Sequence, residues 1–383
     1  MNNSVYIICN YRGAKTKRDL NVFPSGLTYL DYVKDVIKSL NYKVHLVSLS
    51  ESKTKAYLNW ETIHVDDKEE QHYLATLKKS KNGISFALNL LFRMIQLSMW
   101  LIKNTNKNDK IFVYHNNSWS YFYSFVEFVS RRRISLLVAE IFGAVYDKGQ
   151  KNIEEELERI GSKRKCVFIN DILPQIVNTQ QKYAVCYGNY NTTQMESSSF
   201  DDKKTHVVYA GKIDSKNVTD AFLATEVALY LDERYFIHVL GYGSDKDILK
   251  IQKRIEEINS EKGFAIIKYE GCLSGTEYDS FLHKCKIGLC TRALSQKLSD
   301  YCFPSKTLVY LAHNLIPVCP NLRSFSESRM ANGLILVSND FTPQSIASSI
   351  MALPNEKLNC DYSLLLKEMD SEFKTELKNL LED

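Results

Sequence analysis

The chain lacks the patterns that mark a metalloprotein or a disulfide-stapled one. Its nine cysteines are an odd number, scattered singly, with no CxxC pair and no His/Cys cluster at ligand spacing. A disulfide framework or a zinc site is therefore not expected, and a reducing cytoplasm is the expected setting. Neither sign of charge dominates: 49 basic and 45 acidic side chains leave +4 over 383 residues. That is too little to indicate a nucleic-acid partner. The opening Met-Asn-Asn-Ser-Val-Tyr-Ile-Ile-Cys-Asn has no basic n-region and no apolar run of signal length, so it reads as a first strand. There is no nucleophile elbow, no HExxH, no Walker A loop and no repeat or low-complexity tract.

One long apolar run does occur, from Ile84 to Ile102. Ser85, Asn89, Arg93 and Gln96 recur along it at helical spacing, and Arg93 at a bilayer centre would cost roughly 2.5 kcal/mol or more. The stripe predicts a mostly buried amphipathic helix. The alternative is peripheral membrane contact at the inner face, helped by Lys78, Lys79 and Lys81.

What is present is an alternation of short β-rich runs with helical stretches, the mark of parallel α/β units. Strands are expected at Val5–Cys9, Tyr42–Val47, Ile111–Tyr114, Ile134–Ala139, Cys166–Ile169 and Tyr183–Cys186. The polar stretch Asn189–Lys204 reads as a linker, after which the alternation starts afresh. The expected class is α/β with two Rossmann-like, doubly wound domains: an acceptor-binding domain over 1–195 and a donor-binding domain over 196–355. A helix over 356–383 is expected to pack back on the first. A cleft between the two domains is expected to hold the site.

Ligands of open α/β sheets bind beyond the carboxyl ends of the strands. That rule selects Gly211 and Lys212, with Lys216 nearby, then Gly241-Tyr242-Gly243, Gly271 to Ser274, and the loop before Ser305. In the first half it selects the loop 10–26, His115 and Glu140. Glycine admits a phosphate close to backbone, and lysine supplies a point charge. Phe303-Pro304-Ser305-Lys306-Thr307 precedes an apolar helical run, with Ser305 expected as its cap. A helix start of this kind offers free amides to a diphosphate. His115 and Glu140 each end a strand and are candidates for acid/base work or for gripping a hydroxyl. Gly241-Tyr242-Gly243 is expected to open a loop; it lacks the third glycine of a dinucleotide fingerprint.

Read in order, Val207 to Ile213, His238 to Gly243, Tyr269 to Ser274 and Phe303 to Val318 resemble the donor domain of glycosyltransferase family 4, of the GT-B fold. Ser25-Gly26 sits like the family's glycine-rich first loop. The resemblance implies a metal-independent hexosyltransferase that uses a nucleoside diphosphate sugar, needs no cofactor and retains anomeric configuration. Its acceptor would be a saccharide or lipid-linked saccharide, in surface polysaccharide or glycoconjugate synthesis. By resemblance Lys212, with Lys216, grips the diphosphate together with amides near Ser305, Lys306 and Thr307. The loop Gly271, Leu273, Ser274 meets the base, and Gly241, Tyr242 and Gly243 line the nucleotide and sugar. Tyr301 and Val309 stand where the family often has two glutamates, the second of which grips the ribose, and Asp300 is a neighbouring substitute. That departure leaves an alternative: a non-catalytic, GT-B-shaped partner subunit of a transferase.

Overall fold

The computed structural model describes residues 4–22, 24–79, 83–115, 122–145, 148–193, 199–215, 220–292, 299–337 and 340–382, without the side chains of Pro24 and Ser25. It forms two compact units. The first comprises Met1–Asn189, Tyr301–Phe303 and Glu372–Asp383; the second comprises Tyr190–Asp300 and Pro304–Ser371.

The first unit is built on eight strands: β1 (Ser4–Cys9), β2 (Lys43–Ser48), β3 (Glu61–Asp66), β4 (Glu69–Tyr73), β5 (Lys110–Tyr114), β6 (Ile134–Val138), β7 (Cys166–Phe168) and β8 (Tyr183–Val185). Their order in the sheet is β3-β4-β2-β1-β5-β6-β7-β8, parallel except for β3 against β4. The central strands are continuous runs of Val, Ile and Leu because helices cover both faces. Helix α1 (Pro24–Ser39) lies over one face, where Lys34 and Lys38 reach the buried Glu69 carboxylate at 3.3 and 3.1 Å. Helix α2 (Gly83–Asn104) lies over the other, with Trp100 against Tyr6 and His72. The last turns of the helix Ser363–Glu382 also belong to this unit. There Glu376 accepts the Val185 amide, and Leu380 gives its carbonyl to Lys165.

Helix α2 departs from expectation in a telling way. Its polar stripe is the buried side: Asn89 and Arg93 reach Glu51, Arg93 also reaches the Leu49 carbonyl, and Gln96 donates to the Ala75 carbonyl at 2.7 Å. Met94, Leu97, Trp100 and Leu101 are buried beside that stripe, while a second apolar face is exposed, and only 39% of the helix's most apolar stretch is buried. The reason lies beneath it: the Glu51 carboxylate and the Leu49 and Ala75 carbonyls, just beyond the ends of β2 and β4, are covered by the helix, and buried polar groups must be hydrogen-bonded.

The second unit has six parallel strands: β9 (Thr205–Ile213), β10 (Tyr235–Gly243), β11 (Ile267–Gly271), β12 (Ile287–Leu289), β13 (Ile316–Pro320) and β14 (Ile335–Val337). Their order is β11-β10-β9-β12-β13-β14. Ile251, Ile255 and Ile258 of the helix Asp245–Lys262 pack on Val207, Ile237 and Val239, while Ile346 and Ile350 add to the same core. Truncating any one of these isoleucines to alanine would cost about 2–5 kcal/mol. Ser244 caps its helix by accepting the Asp247 amide, and Gly263 ends it at φ 75°.

Two strands run further than the sequence suggests. β9 and β10 stay paired through Gly241↔Gly211, Tyr242↔Lys212 and Gly243↔Ile213, so Gly241-Tyr242-Gly243 closes a strand and does not open a loop. A Cβ at Gly241 would overlap the Gly211 carbonyl oxygen. Two bare backbones approach here as no substituted pair can, and that extends the ladder.

Candidate functional site

The connections of the second unit reverse at β9. The chain moves outward through β10 and β11, returns to β12, and continues outward through β13 and β14. The crevice between the carboxyl ends of β9 and β12 is thus a topological switch point, where such sheets bind ligands.

The helix Lys306–Ala312 is pinned at that crevice by Tyr310, which is fully buried. The Tyr310 hydroxyl accepts the Ala210 amide of β9 at 3.0 Å and donates to the Leu289 carbonyl of β12 at 3.4 Å. Its ring lies on Gly288, where any Cβ would overlap it. Glycine inside the short apolar strand Ile-Gly-Leu was the sequence signal of this approach.

Lys306, one turn before Tyr310, is thereby held at the mouth. Its Nζ donates to the Tyr209 hydroxyl at 3.0 Å, sits 4.1 Å from the Tyr209 ring centre, and lies 3.6 Å from the Asp220 carboxylate. A Cβ at Gly211 would run into the Lys306 ammonium. Gly211 therefore leaves the room that the lysine occupies. Burial pushes the Lys306 ammonium below its ordinary 10.5, with Asp220 pulling the other way. Tyr209 also donates to the Lys212 carbonyl at 3.0 Å, tying the end of β9 to the same ring.

The other expected donor-side residues fall in different places. Lys212 points to solvent with Nζ 2.7 Å from Asp214, which raises its pKa by a direct hydrogen bond. Tyr242, beside it in register, is also largely exposed. Gly271 ends the edge strand β11, Leu273 and Ser274 follow it, and the Tyr269 hydroxyl ties that strand to the Gly241 carbonyl at 2.9 Å. The Asp300 carboxylate lies 3.6 Å from Arg323. Lys216 lies outside the described residues.

The start of this helix differs from the sequence expectation in its cap. Ser305 makes no capping bond: its backbone is already helical, at φ −59°, ψ −21°, and a cap needs an extended backbone to turn its hydroxyl back. The Thr307 amide is given to the Pro304 carbonyl, and its buried hydroxyl faces Cys290 and Cys319. What this corner does fix is the Lys306 ammonium, in the space that Gly211 leaves open.

In the first unit the switch point is between β1 and β5. Ser25 and Gly26 fall in the first turn of α1, and a Cβ on Gly26 would stand 3.6 Å from the Tyr114 hydroxyl at the end of β5. Glu140 follows β6, and its charge, after burial, helps raise the Tyr114 phenol. Gly26, Tyr114 and Glu140 therefore share one corner, half-buried at Glu140.

His115, by contrast, is buried with both ring nitrogens engaged. Nδ1 is 2.7 Å from the Tyr123 hydroxyl and Nε2 is 2.6 Å from Glu156. Glu156 also accepts the amides of Phe142 and Gly143 at 2.9 and 2.7 Å. His115 thus has both nitrogens occupied, where acid/base work or the gripping of a hydroxyl was expected: the ring braces, through Glu156, the turn that follows Glu140. Glu156 stands 41 positions from His115 along the chain, and no local pattern marked the pair.

Among the described residues, one group has ligand atoms close enough for a metal ion: His45, Glu70 and His72. Their nearest atoms are 3.1 to 3.5 Å apart. However, Lys43 Nζ is already 2.5 Å from the Glu70 carboxylate. With Tyr6 stacked on His45, the group forms a hydrogen-bonded polar core under α2.

No protein-family model matches the chain, and no curated protein matches it in sequence. Solved structures do. An α,α-trehalose-phosphate synthase (UDP-forming) from Burkholderia vietnamiensis matches with a TM-score of 0.68 at 11% identity, over 99% of this chain and 100% of that one. A trehalose-phosphate synthase from Burkholderia xenovorans, solved in complex with glucose-6-phosphate, matches with the same score, identity and coverage. HepE from Anabaena, in complex with UDP and glucose, matches with a TM-score of 0.63 at 9% identity, over 99% of this chain and 98% of that one. At such identities the likeness is one of fold. The chain has the GT-B fold of two parallel-sheet α/β domains.

Proposed function

We propose that the chain is a glycosyltransferase, of the kind that glycosyltransferase family 4 exemplifies. It moves a hexose-type sugar from a nucleoside diphosphate donor to a saccharide or lipid-linked saccharide in the cytoplasm. The observation that carries this reading is the Lys306 ammonium, fixed by Tyr209, Asp220 and the space above Gly211 at a switch point. A leaving nucleoside diphosphate gains charge as the glycosidic bond breaks, and a preorganised cation in a partly dry corner stabilises that charge without reorganising. UDP and glucose in HepE, and glucose-6-phosphate in a trehalose-phosphate synthase, are ligands of the same chemical classes.

Lys212 would swing from Asp214 to the diphosphate, and Tyr242 would flank the nucleotide. Glu140, with Gly26 and Tyr114 beside it, would hold a hydroxyl of the transferred sugar or acceptor; His115 acts as a positioning residue behind it. Retention, independence from metal and a role in surface polysaccharide or glycoconjugate synthesis complete the proposal. They rest on the resemblance of the four donor-domain motifs.

The test is calorimetry with UDP and GDP, followed by donor hydrolysis and transfer over a panel of nucleotide sugars. Lys306→Ala and Lys212→Ala should each cost about 2–5 kcal/mol of transition-state stabilisation. Failure of both diphosphates to bind would sink this reading and favour the partner-subunit alternative. That alternative is supported by Val309 and Tyr301 in place of acids, and by Asp300 being engaged with Arg323.

A further inference from the structure

We propose that the outer face of α2 docks the protein on an anionic lipid bilayer, as a peripheral contact that does not span it. The inference stands on the first unit alone and does not depend on the donor reading. Ile84, Leu88, Leu91, Ile95, Met99 and Ile102 are all exposed, from 46% to 74%. At 100° per residue they fall within an arc of about 80°. The polar residues Asn89, Arg93 and Gln96 lie on the opposite side and are tied to Glu51, Leu49 and Ala75. The inner side already buries its own apolar residues, Met94, Leu97, Trp100 and Leu101, so the outer stripe is a second apolar face that the fold leaves uncovered, where an ordinary surface helix is polar. An apolar stripe this long, left to water, marks an interaction face.

The same bonds exclude a crossing. The helix is long and apolar enough to span by composition. To do so it would have to tear Arg93 from the Glu51 carboxylate and the Leu49 carbonyl. Lying in the interface keeps every polar contact and buries only the outer stripe.

The charge around the stripe identifies the occupant. Lys103 and Lys107 lie at and beyond the carboxyl end of α2. Arg132 brings its neighbours to the same end by donating to the Thr105 carbonyl at 2.7 Å and to the Thr105 hydroxyl at 3.0 Å. Exposed Arg131 and Arg133, which flank Arg132, are thereby carried toward the end of α2 that bears the two lysines. The acids nearest them along the chain are Asp109 and Glu127, and Glu127 is already paired with Arg164 at 2.7 Å. Phe128, 84% exposed near the end of helix α3 (Phe122–Ser130), extends the apolar area toward these cations. Lys78 and Lys79, also exposed, lead into the amino end of α2. An apolar stripe with cations at both ends fits acyl chains below anionic headgroups. A second copy of this chain would set cationic ends against cationic ends in either orientation, which disfavours that occupant.

The experiment is flotation of the full chain with vesicles of phosphatidylcholine alone and of phosphatidylcholine mixed with phosphatidylglycerol. Binding is expected on the mixed vesicles, weakening as salt is raised. Leu88→Glu with Ile95→Glu should reduce it by roughly tenfold or more. Lys103→Glu with Arg131→Glu should remove the preference for phosphatidylglycerol. Thermal unfolding of each variant, matched to the parent, certifies the fold. The proposal is overturned if the parent chain stays soluble with both vesicles, or if the Leu88/Ile95 variant floats as well as the parent. It is also overturned if light scattering shows a parent dimer that this variant converts to monomer, since the face would then belong to a second copy.

Discussion

The Lys306 ammonium donates to the Tyr209 hydroxyl at 3.0 Å, and that hydroxyl donates onward to the Lys212 carbonyl at 3.0 Å. One tyrosine thus orients the fixed cation of the second unit and the strand end that carries the second lysine. Both partners are needed in one protonation state. Burial lowers the Lys306 pKa from 10.5, and Asp220 only partly restores it. Activity should therefore fall on the alkaline side, at an apparent pKa below that of an ordinary lysine, as the cation is lost. Lys306→Arg should move that limb upward, because guanidinium stays charged. A pH profile of kcat/KM with and without the substitution checks this. An alkaline limb unmoved by arginine would assign it to another group.

Gly211 and Gly241 pair across β9 and β10, yet the two should respond differently to alanine. At Gly211 the new Cβ meets the end of the flexible Lys306 side chain, which can move aside. The fold should survive while donor turnover drops between roughly tenfold and a hundredfold, as expected when a catalytic group is displaced. At Gly241 the new Cβ meets the Gly211 carbonyl, and backbone cannot step aside. Gly241→Ala should cost about 1–3 kcal/mol or more in stability. Thermal or denaturant unfolding of the two variants, set beside their turnover, separates these outcomes.

Much of this arrangement was legible in the sequence, for a physical reason. Parallel strands buried on both faces must be continuous apolar runs, so β1, β2, β5, β9 and β10 announce themselves, while their order in the sheet does not. The polar strands β3 and β4 gave no such signal: β3 alternates between half-buried and exposed residues, and β4, though buried, is built of polar side chains. Periodicity likewise marked the polar stripe of α2 but not which way it turns, because its partners Glu51, Leu49 and Ala75 are brought under the helix only by the folded sheet. The chain position of Lys306 was readable; its partners Tyr209 and Asp220, 97 and 86 residues before it, were not, since only the closed sheet brings them together.

Two buried histidines should make the protein acid-sensitive. His72 and His238 are both pushed down from 6.5 to about 4. Burial is the main cause in both, opposed by the carboxylates of Glu70 and Glu270 respectively. Each folded-state pKa lies below its unfolded value, so between pH 6.5 and about 4 the unfolded chain binds more protons. Stability is then lost as pH falls through that window, by up to about 3 kcal/mol per histidine. Denaturant midpoints measured from pH 7 down to 4.5 should decline steadily. A flat response would mean that these rings protonate in place.

Glu156 should matter to the fold before it matters to chemistry. Burial raises its carboxyl, but the hydrogen bond from His115, that residue's charge and the two amides outweigh burial and leave it below 4.5. Its stabilising contribution is present above 4.5 and is lost as pH falls through the lowered value, a window below that of the histidines. Glu156→Ala strips His115 and two amides of their acceptor at once, and should cost about 3–5 kcal/mol. Unfolding at pH 7 measures it. A loss under 1 kcal/mol, about the worth of one ordinary hydrogen bond, would mean the turn after Glu140 is held by something else.

The two faces of α2 offer the sharpest contrast, because substitutions five residues apart, on opposite sides, should act oppositely to their usual sense. Arg93 is a charged residue on a long helix, and such residues ordinarily tolerate alanine. Here it is buried against Glu51, whose side chain is itself only 14% exposed. Arg93→Ala would leave that carboxylate short of a cation and the Leu49 carbonyl short of a donor, at about 1–3 kcal/mol. Leu88→Glu, which would ordinarily wreck an apolar position, places a charge in water on the open face and should change stability by no more than about 0.5 kcal/mol. Denaturation of both variants decides it. If leucine proves the sensitive position and arginine the tolerant one, then α2 is packed the ordinary way round and its apolar stripe belongs to the core.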